Sequence, residues 1–289
     1  MSIIDIFSNP LILTMFLSAL LIGILISLSA SLLGVPLVLK RYSMLGDGLA
    51  HIGFGSMAVG AIADKVLEET LGKTLGSYTL LISVPIVIAA AILILKMSEK
   101  TDIEGDSAIA LVSTSALAIG YIIYKYATGQ ASDVCSSMFG SASLLTPSKS
   151  NIIVTCVLSV AVISVFIIFF ERIFAVTFDP TFSKAVGINV EKYDTLIAIL
   201  VAVTIVIGMK MLGTVMISGL IVFPAISAMK INSTFKGVVI TAGAISVSCS
   251  VIGILLAFLI SNMPIGPCVV VVNLAVYIVC SAIKKLKKA

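Results

Sequence analysis

The sequence predicts an all-α, polytopic membrane protein of about eight or nine transmembrane helices, some of them short or broken. Three observations predict it. Hydrophobic residues fill 60% of the 289 positions and charged residues only 11%, against roughly half and a quarter in a soluble chain. Mean hydropathy is +1.23. Apolar runs at 11–39, 80–95, 152–170, 238–260 and 269–283 approach or exceed the about 20 helical residues that cross a hydrocarbon core. Helix is the expected form because it satisfies every backbone polar group within one segment.

Basic clusters order the spans. Lys40–Arg41, Lys96 with Lys100, Arg172 to Lys192, Lys230 with Lys236, and Lys284 to Lys288 are the expected cytoplasmic anchors. One span precedes Lys40, and the chain leaves and returns between successive anchors. The sum is about nine crossings, or eight if one segment is re-entrant, with the N-terminus outside and the C-terminus inside. The first nine residues carry no basic stretch, so a removable signal peptide is not expected.

The elements follow in chain order. The run 11–39 is the first span. The next, 43–63, carries Gly46, Gly48, Gly53, Gly55 and Gly60, and its Gly46-x-x-x-Ala50 spacing offers a face for close helix packing. Segments 64–76 and 126–150 lie outside and are too short to form a domain. Glu104 and Asp106, in EGDSAIAL, open a further span as acids that complement its helix dipole. Segment 171–192 is the longest polar stretch inside. There Asp179-Pro180 reads as a helix start with proline at the first position, predicting a short helix along the cytoplasmic face. Residues 193–230 give about 38 positions for an exit and a return. Gly208, Gly213, Gly219 and Pro224 interrupt them, so two short or broken helices are expected, of the kind found beside transport sites. Lys210 is expected at an outer turn with its ammonium snorkelling.

Composition and motifs exclude several functions. The net charge of +4 follows from anchors at span ends, not from a nucleic-acid surface. Cys135, Cys156, Cys249, Cys268 and Cys280 show no C-x-x-C spacing and behave as small apolar residues. Gly72-Lys73-Thr74 resembles the end of a phosphate loop, but Leu67 stands where its first glycine belongs. One histidine cannot build H-E-x-x-H, and no G-x-S-x-G is present. Neither ATP binding nor hydrolytic chemistry is expected of this chain.

Asp47 and His51 carry the strongest signal. The single histidine lies four residues after a carboxylate in LGDGLAHIGFG, so both project from one helix face and both can ligate a divalent cation. An aspartate held in hydrocarbon costs about 2.5–3.5 kcal/mol on insertion scales, which makes an ionisable pair in a span a pathway candidate. A helix beginning near Ser43 would also account for Asp47 through its dipole, but not for His51 a turn deeper. Phe178, Pro180 and Phe182 suit either a partner's hydrophobic groove or the lipid headgroups.

These residues resemble the permease subunits of zinc/manganese/iron-type metal-ion ABC importers. LKRYSMLGDGLAHIGFG is similar to that family's R-x-x-x-x-G-D-x-x-x-H, and TFDPTFSKAVGI to F-D-P-x-x-A-x-x-x-G. GTVMISGLIVFPAISA resembles its G-x-L-L-x-x-A-L-L-x-x-P-A-A-x-A, and SNMPIGP its D-x-P-x-G. Departures are Ala50 and Ile52 flanking His51, Ser183-Lys184 ahead of Ala185, and Asn262 in place of an aspartate. The resemblance implies a single permease domain over 1–289 in the plasma membrane, with a coupling helix near 178–188. It implies a homodimer with cytoplasmic ABC ATPase subunits and an extracellular metal-binding protein as partners. Asp47 and His51 would then face the path of a manganese, zinc or iron ion, which is cargo and not a cofactor. Phe178, Asp179, Pro180, Phe182, Ala185 and Gly187 would dock to the ATPase. Gly46, Gly48, Gly213 and Pro224 would serve packing and gating. Alternatives are a permease for a siderophore or chelate, an intramembrane enzyme, and a proton-coupled metal transporter that needs no partner chain.

Overall fold

The computed structural model describes residues 10–42, 44–71, 79–100, 105–128, 149–260 and 263–286. Glu104, the Gly72-Lys73-Thr74 tripeptide, Cys135, most of segment 126–150 and Asn262 lie outside them.

The chain runs through eleven helices among the described residues: α1 (Pro10–Leu39), α2 (Met44–Leu71), α3 (Thr79–Lys100), α4 (Gly105–Thr128), α5 (Lys149–Ile168), α6 (Phe170–Phe178), α7 (Pro180–Ala185), α8 (Val190–Leu212), α9 (Thr214–Ile231), α10 (Phe235–Leu259) and α11 (Ile265–Leu286). Eight of the nine long ones are apolar enough to cross a membrane. The ninth, α2, has the length, at 28 residues, but Asp47, His51 and its glycines lower its apolarity. Helix α2 also continues to Leu71, through much of what the sequence placed in an outer loop. The protein is an all-α, multi-pass membrane protein.

Local chemistry fixes the boundaries. Asp179 caps α7 by accepting the Phe182 N–H at 2.8 Å, with Pro180 at the first position. Asn189 caps α8 through the Lys192 N–H at 3.2 Å, and Thr234 caps α10 through the Gly237 N–H at 3.3 Å. Such caps satisfy N–H groups that the helix leaves without partners.

Interval 193–230 was expected to give two short or broken helices; one is short and neither is broken. It lies in α8, of 23 residues, and α9, of 18, each continuous. Gly213 alone joins them, at φ 88° and ψ 161°, a conformation essentially confined to glycine. No loop is spent, so two spans fit. Eighteen residues rise roughly 27 Å, which makes α9 short for a core about 30 Å thick without breaking it.

Helix α8 is the centre of the bundle: 72% of an 18-residue apolar stretch within it is buried. Helices α1, α2, α3 and α9 pack around it, α4 closes on α2, and α10 and α11 close on α1 and α9. Ion pairs and hydrogen bonds hold α8 at both ends. Lys40, just past α1, pairs with Asp194 in its first turns. At the other end Lys210 donates to the Asn151 side chain of α5 at 3.4 Å and lies near enough to Asp64 of α2 to be attracted to it. Asp64 also accepts from Thr79 at the start of α3. Lys210 thus stands in the last turn of α8, at a helix end as expected, and its ammonium reaches to a neighbouring helix.

Candidate functional site

The site begins with a tight reversal after α1. The Tyr42 N–H donates to the Leu37 carbonyl at 2.9 Å, with Arg41 at φ 64°. This is the hydrogen-bond pattern that closes a helix on a left-handed residue, a place usually held by glycine. The turn lets α2 start at Met44 and sets Asp47 in its first turn, where the helix dipole favours a carboxylate. His51 lies one turn on, and its Nε2 is 3.5 Å from the Asp47 carboxylate. The side chains keep 55% of their surface open at Asp47 and 27% at His51. His51 Nδ1 is buried without a hydrogen-bond partner.

Beside Asp47 a cavity of about 280 Å³ opens between α2 and α9. Met44, Asp47, Ser218, Gly219, Val222 and Phe223 line it. Ser218 lines the same cavity as Asp47, its hydroxyl donating to the Val215 carbonyl of its own helix at 3.2 Å. His51 supports the Asp47 carboxylate from its own helix and does not line the cavity. Among the described residues no group of three or more His, Cys, Asp or Glu side chains is placed to hold a metal. The arrangement is thus open and sparse in donors: one carboxylate with an imidazole beside it and a hydroxyl on the cavity wall. Such a site can share an ion with water and release it, as conduction requires.

Ser218 was not singled out in the sequence. Its signal was a hydroxyl within the run VMISGLIVF, which only the packing of α9 on α2 brings into the Asp47 cavity.

The predicted packing residues do what their size allows. A Cβ on Gly46 would lie 3.2 Å from Ile221 Cδ1 on α9, and one on Gly48 would strike Ile109 on α4. Deeper along α2, a Cβ on Gly55 would lie 2.5 Å from the Ala116 carbonyl oxygen of α4, opposite Gly120. Pro224 lies buried inside α9 and withholds an N–H from the Leu220 carbonyl, one turn from the cavity wall.

The predicted docking residues gather elsewhere. Phe178 ends α6 and Asp179, Pro180, Phe182 and Ala185 form α7, with Gly187 following at φ 86°. Phe182 is 64% exposed and Phe178 59%. Phe178 rests on the rings of Phe174 and Phe235, at centroid distances of 5.1 and 6.3 Å, so its exposed edge is held in place. After a turn at 186–189, helix α7 is followed by α8, whose first turns hold Lys40 through Asp194. Lys40 in turn lies seven residues before Asp47. The exposed aromatics and the carboxylate therefore belong to the same end of the bundle, without direct contact.

Comparison with known proteins gives the family of the chain. The chain is 26% identical over 262 residues to an uncharacterised membrane protein from the ycf23-apcF intergenic region of Cyanophora paradoxa, covering 90% of this chain and 83% of that one. It is 24% identical to the manganese import system permease protein ScaB of Streptococcus gordonii, covering 91% of this chain and 88% of that one. To the high-affinity zinc uptake system membrane protein ZnuB of Haemophilus influenzae it is 26% identical, over 90% and 94% of the two chains. Its fold matches PsaBC from Streptococcus pneumoniae, solved in complex with Fab, at a TM-score of 0.79 and 23% identity over 96% and 93% of the two chains. Residues 13–284 match the ABC 3 transport family, and this chain belongs to it.

Proposed function

We propose that this chain is the permease subunit of an ATP-driven importer of a divalent transition-metal ion, manganese, zinc or iron. The observation that carries this reading is Asp47, paired with His51 and open to a cavity between α2 and α9, in a chain of the ABC 3 transport family. All of 1–289 forms one transmembrane domain in the plasma membrane, with the N-terminus outside and the C-terminus in the cytoplasm. Two copies pair, and the exposed side of Asp47 faces their shared path. An extracellular metal-binding protein delivers the ion. Asp47, supported by His51, replaces part of its hydration shell during alternating access.

ATP is hydrolysed on separate cytoplasmic subunits. Residues Phe178, Asp179, Pro180, Phe182, Ala185 and Gly187 form the docking element, because a capped helix presenting Phe182 suits a hydrophobic groove. A short turn through Gly187 joins it to α8, at the centre of the bundle.

Two measurements test this. In cells carrying Asp47→Ala or His51→Ala at wild-type expression, radiolabelled manganese, zinc and iron uptake should fall sharply; wild-type uptake in both would remove the path assignment. ATPase subunits should co-purify poorly with Phe182→Ala and with Phe178→Ala. Undiminished complex with either variant would remove the docking assignment.

A further inference from the structure

We infer that the groove between α5 and α10 binds one acidic phospholipid of the surrounding bilayer, its headgroup on Lys236 and an acyl chain in the apolar cleft. This stands on the membrane setting of the chain and not on the metal path proposed above.

Three helices build the groove. Helices α5 and α10 each pack against α1 without packing closely on each other. The gap between them is a cavity of about 420 Å³, within the ordinary range of small-ligand sites. Leu28 and Leu32, one turn apart on α1, form its floor. Ile163, Phe166 and Ile167 line one side, sharing a face of α5 through their three- and four-residue spacing. On α10 the same spacing aligns Lys236, Ile240, Gly243 and Ala244. Gly243 keeps the floor deep, since a Cβ there would lie 3.2 Å from Leu28 Cδ1. Phe166 is buried, whereas Ile167 and Ile240 are 64% and 62% exposed, so the groove opens sideways into the membrane.

Charge and length select the occupant. Lys236 is the one charged residue of the lining, and it stands where α10 begins, so the positive end of the helix dipole adds to it. Two other lysines at this end are engaged: Lys40 pairs with Asp194, and Lys230 lies over the Tyr277 ring at 6.0 Å. Among the described residues Lys236 has no carboxylate partner. From Lys236 to Ala244 the helix rises roughly 12 Å, most of the ~15 Å that one leaflet contributes to the hydrocarbon core.

A cation at the mouth of an apolar cleft matches the two ends of an anionic phospholipid, phosphate above and acyl chain below. An apolar surface from a second copy would instead bury the ammonium without a counter-charge, which is costly. The cleft also lies behind the exposed aromatics. Phe170, part of its lining, stacks on Phe235 at 5.4 Å, and Phe235 on Phe174 at 5.0 Å. A bound acyl chain therefore packs against the rings that support Phe178.

The test is native mass spectrometry of the full chain released from bilayer discs of equal palmitoyl-oleoyl phosphatidylglycerol and phosphatidylcholine. The wild-type chain should retain phosphatidylglycerol in preference. Lys236→Gln should lower that preference about fivefold, the scale of one basic side chain's attraction to an anionic headgroup, and Lys236→Arg should keep it. Phosphatidylglycerol carrying a diazirine in its acyl chain should label residues within 28–32, 163–170 or 239–244. Ala244→Phe, which fills the cleft and leaves the lysine, should lower that labelling. Equal retention of the two lipids by the wild-type chain, or labelling confined to other segments, would overturn the site. An unchanged preference in Lys236→Gln, or equal loss in the Gln and Arg variants, would overturn the headgroup assignment. An Ala244→Phe chain that fails to fold leaves the Lys236 variants to decide. A disulfide between two Ile240→Cys chains in native membranes would assign the cleft to a second copy and overturn the inference.

Discussion

Two glycines on α2 should answer very differently to the same added methyl. Glycine-to-alanine replacement inside a helix gains about 1 kcal/mol of intrinsic helical stability wherever it is made. At Gly46 the new Cβ would meet Ile221 Cδ1 at 3.2 Å and Cγ2 at 3.3 Å. Both are ends of a flexible side chain that can yield by a few tenths of an ångström. At Gly55 it would meet the Ala116 carbonyl oxygen at 2.5 Å, and that oxygen belongs to the rigid backbone of α4. A relaxed carbon–oxygen contact needs roughly 3.3 Å, so α2 and α4 would have to separate where Gly120 already touches Gly55. Overpacking of this kind costs about 1–3 kcal/mol and occasionally more. The expected outcome is Gly46→Ala within about 1 kcal/mol of wild type, on the stabilised side, and Gly55→Ala destabilised by up to about 2 kcal/mol net. The chain has no tryptophan, but Cys249 and Cys280 are buried thiols, so thermal unfolding in detergent is read with a thiol-reactive dye. Equal midpoints for the two variants, or a Gly55→Ala protein more stable than wild type, would refute the packing described between α2 and α4.

Two further predictions concern the ends of α8. Gly213→Ala places a side chain at φ 88° and ψ 161°, which should cost about 1–3 kcal/mol in the same unfolding assay. A wild-type midpoint would mean that the α8–α9 junction has another shape. Asp194→Ala or Lys40→Ala breaks a pair whose side chains are only 24% and 13% exposed. A loss between that of surface and of fully buried pairs, about 1–3 kcal/mol, is expected. The exchange of both charges in one protein should recover part of it; no recovery would assign the loss to packing of the lysine stem instead.

The cap at Asp179 and the carboxylate–imidazole spacing at Asp47 and His51 were legible in the sequence because each depends on residues three or four apart on one helix. Such relations follow from helical geometry alone. The continuity of α8 and α9 was not legible, because Gly213 and Pro224 have the same composition signal whether a helix breaks or only turns. The partners of Lys210, Asn151 and Asp64, were not legible for a related reason: they are distant in the chain.

By itself the sequence determined that the chain crosses a membrane, that it does so as helices, and which short motifs begin them. Hydrocarbon forces backbone pairing within each segment, and apolar run lengths report that demand directly. Only the tertiary structure decided which helix faces which: α8 at the centre, α9 against the first turn of α2, and Ser218 in one cavity with Asp47. Those choices depend on side-chain fit between helices far apart in sequence, such as Ile221 on Gly46. Shape complementarity of that kind leaves no periodic trace along the chain.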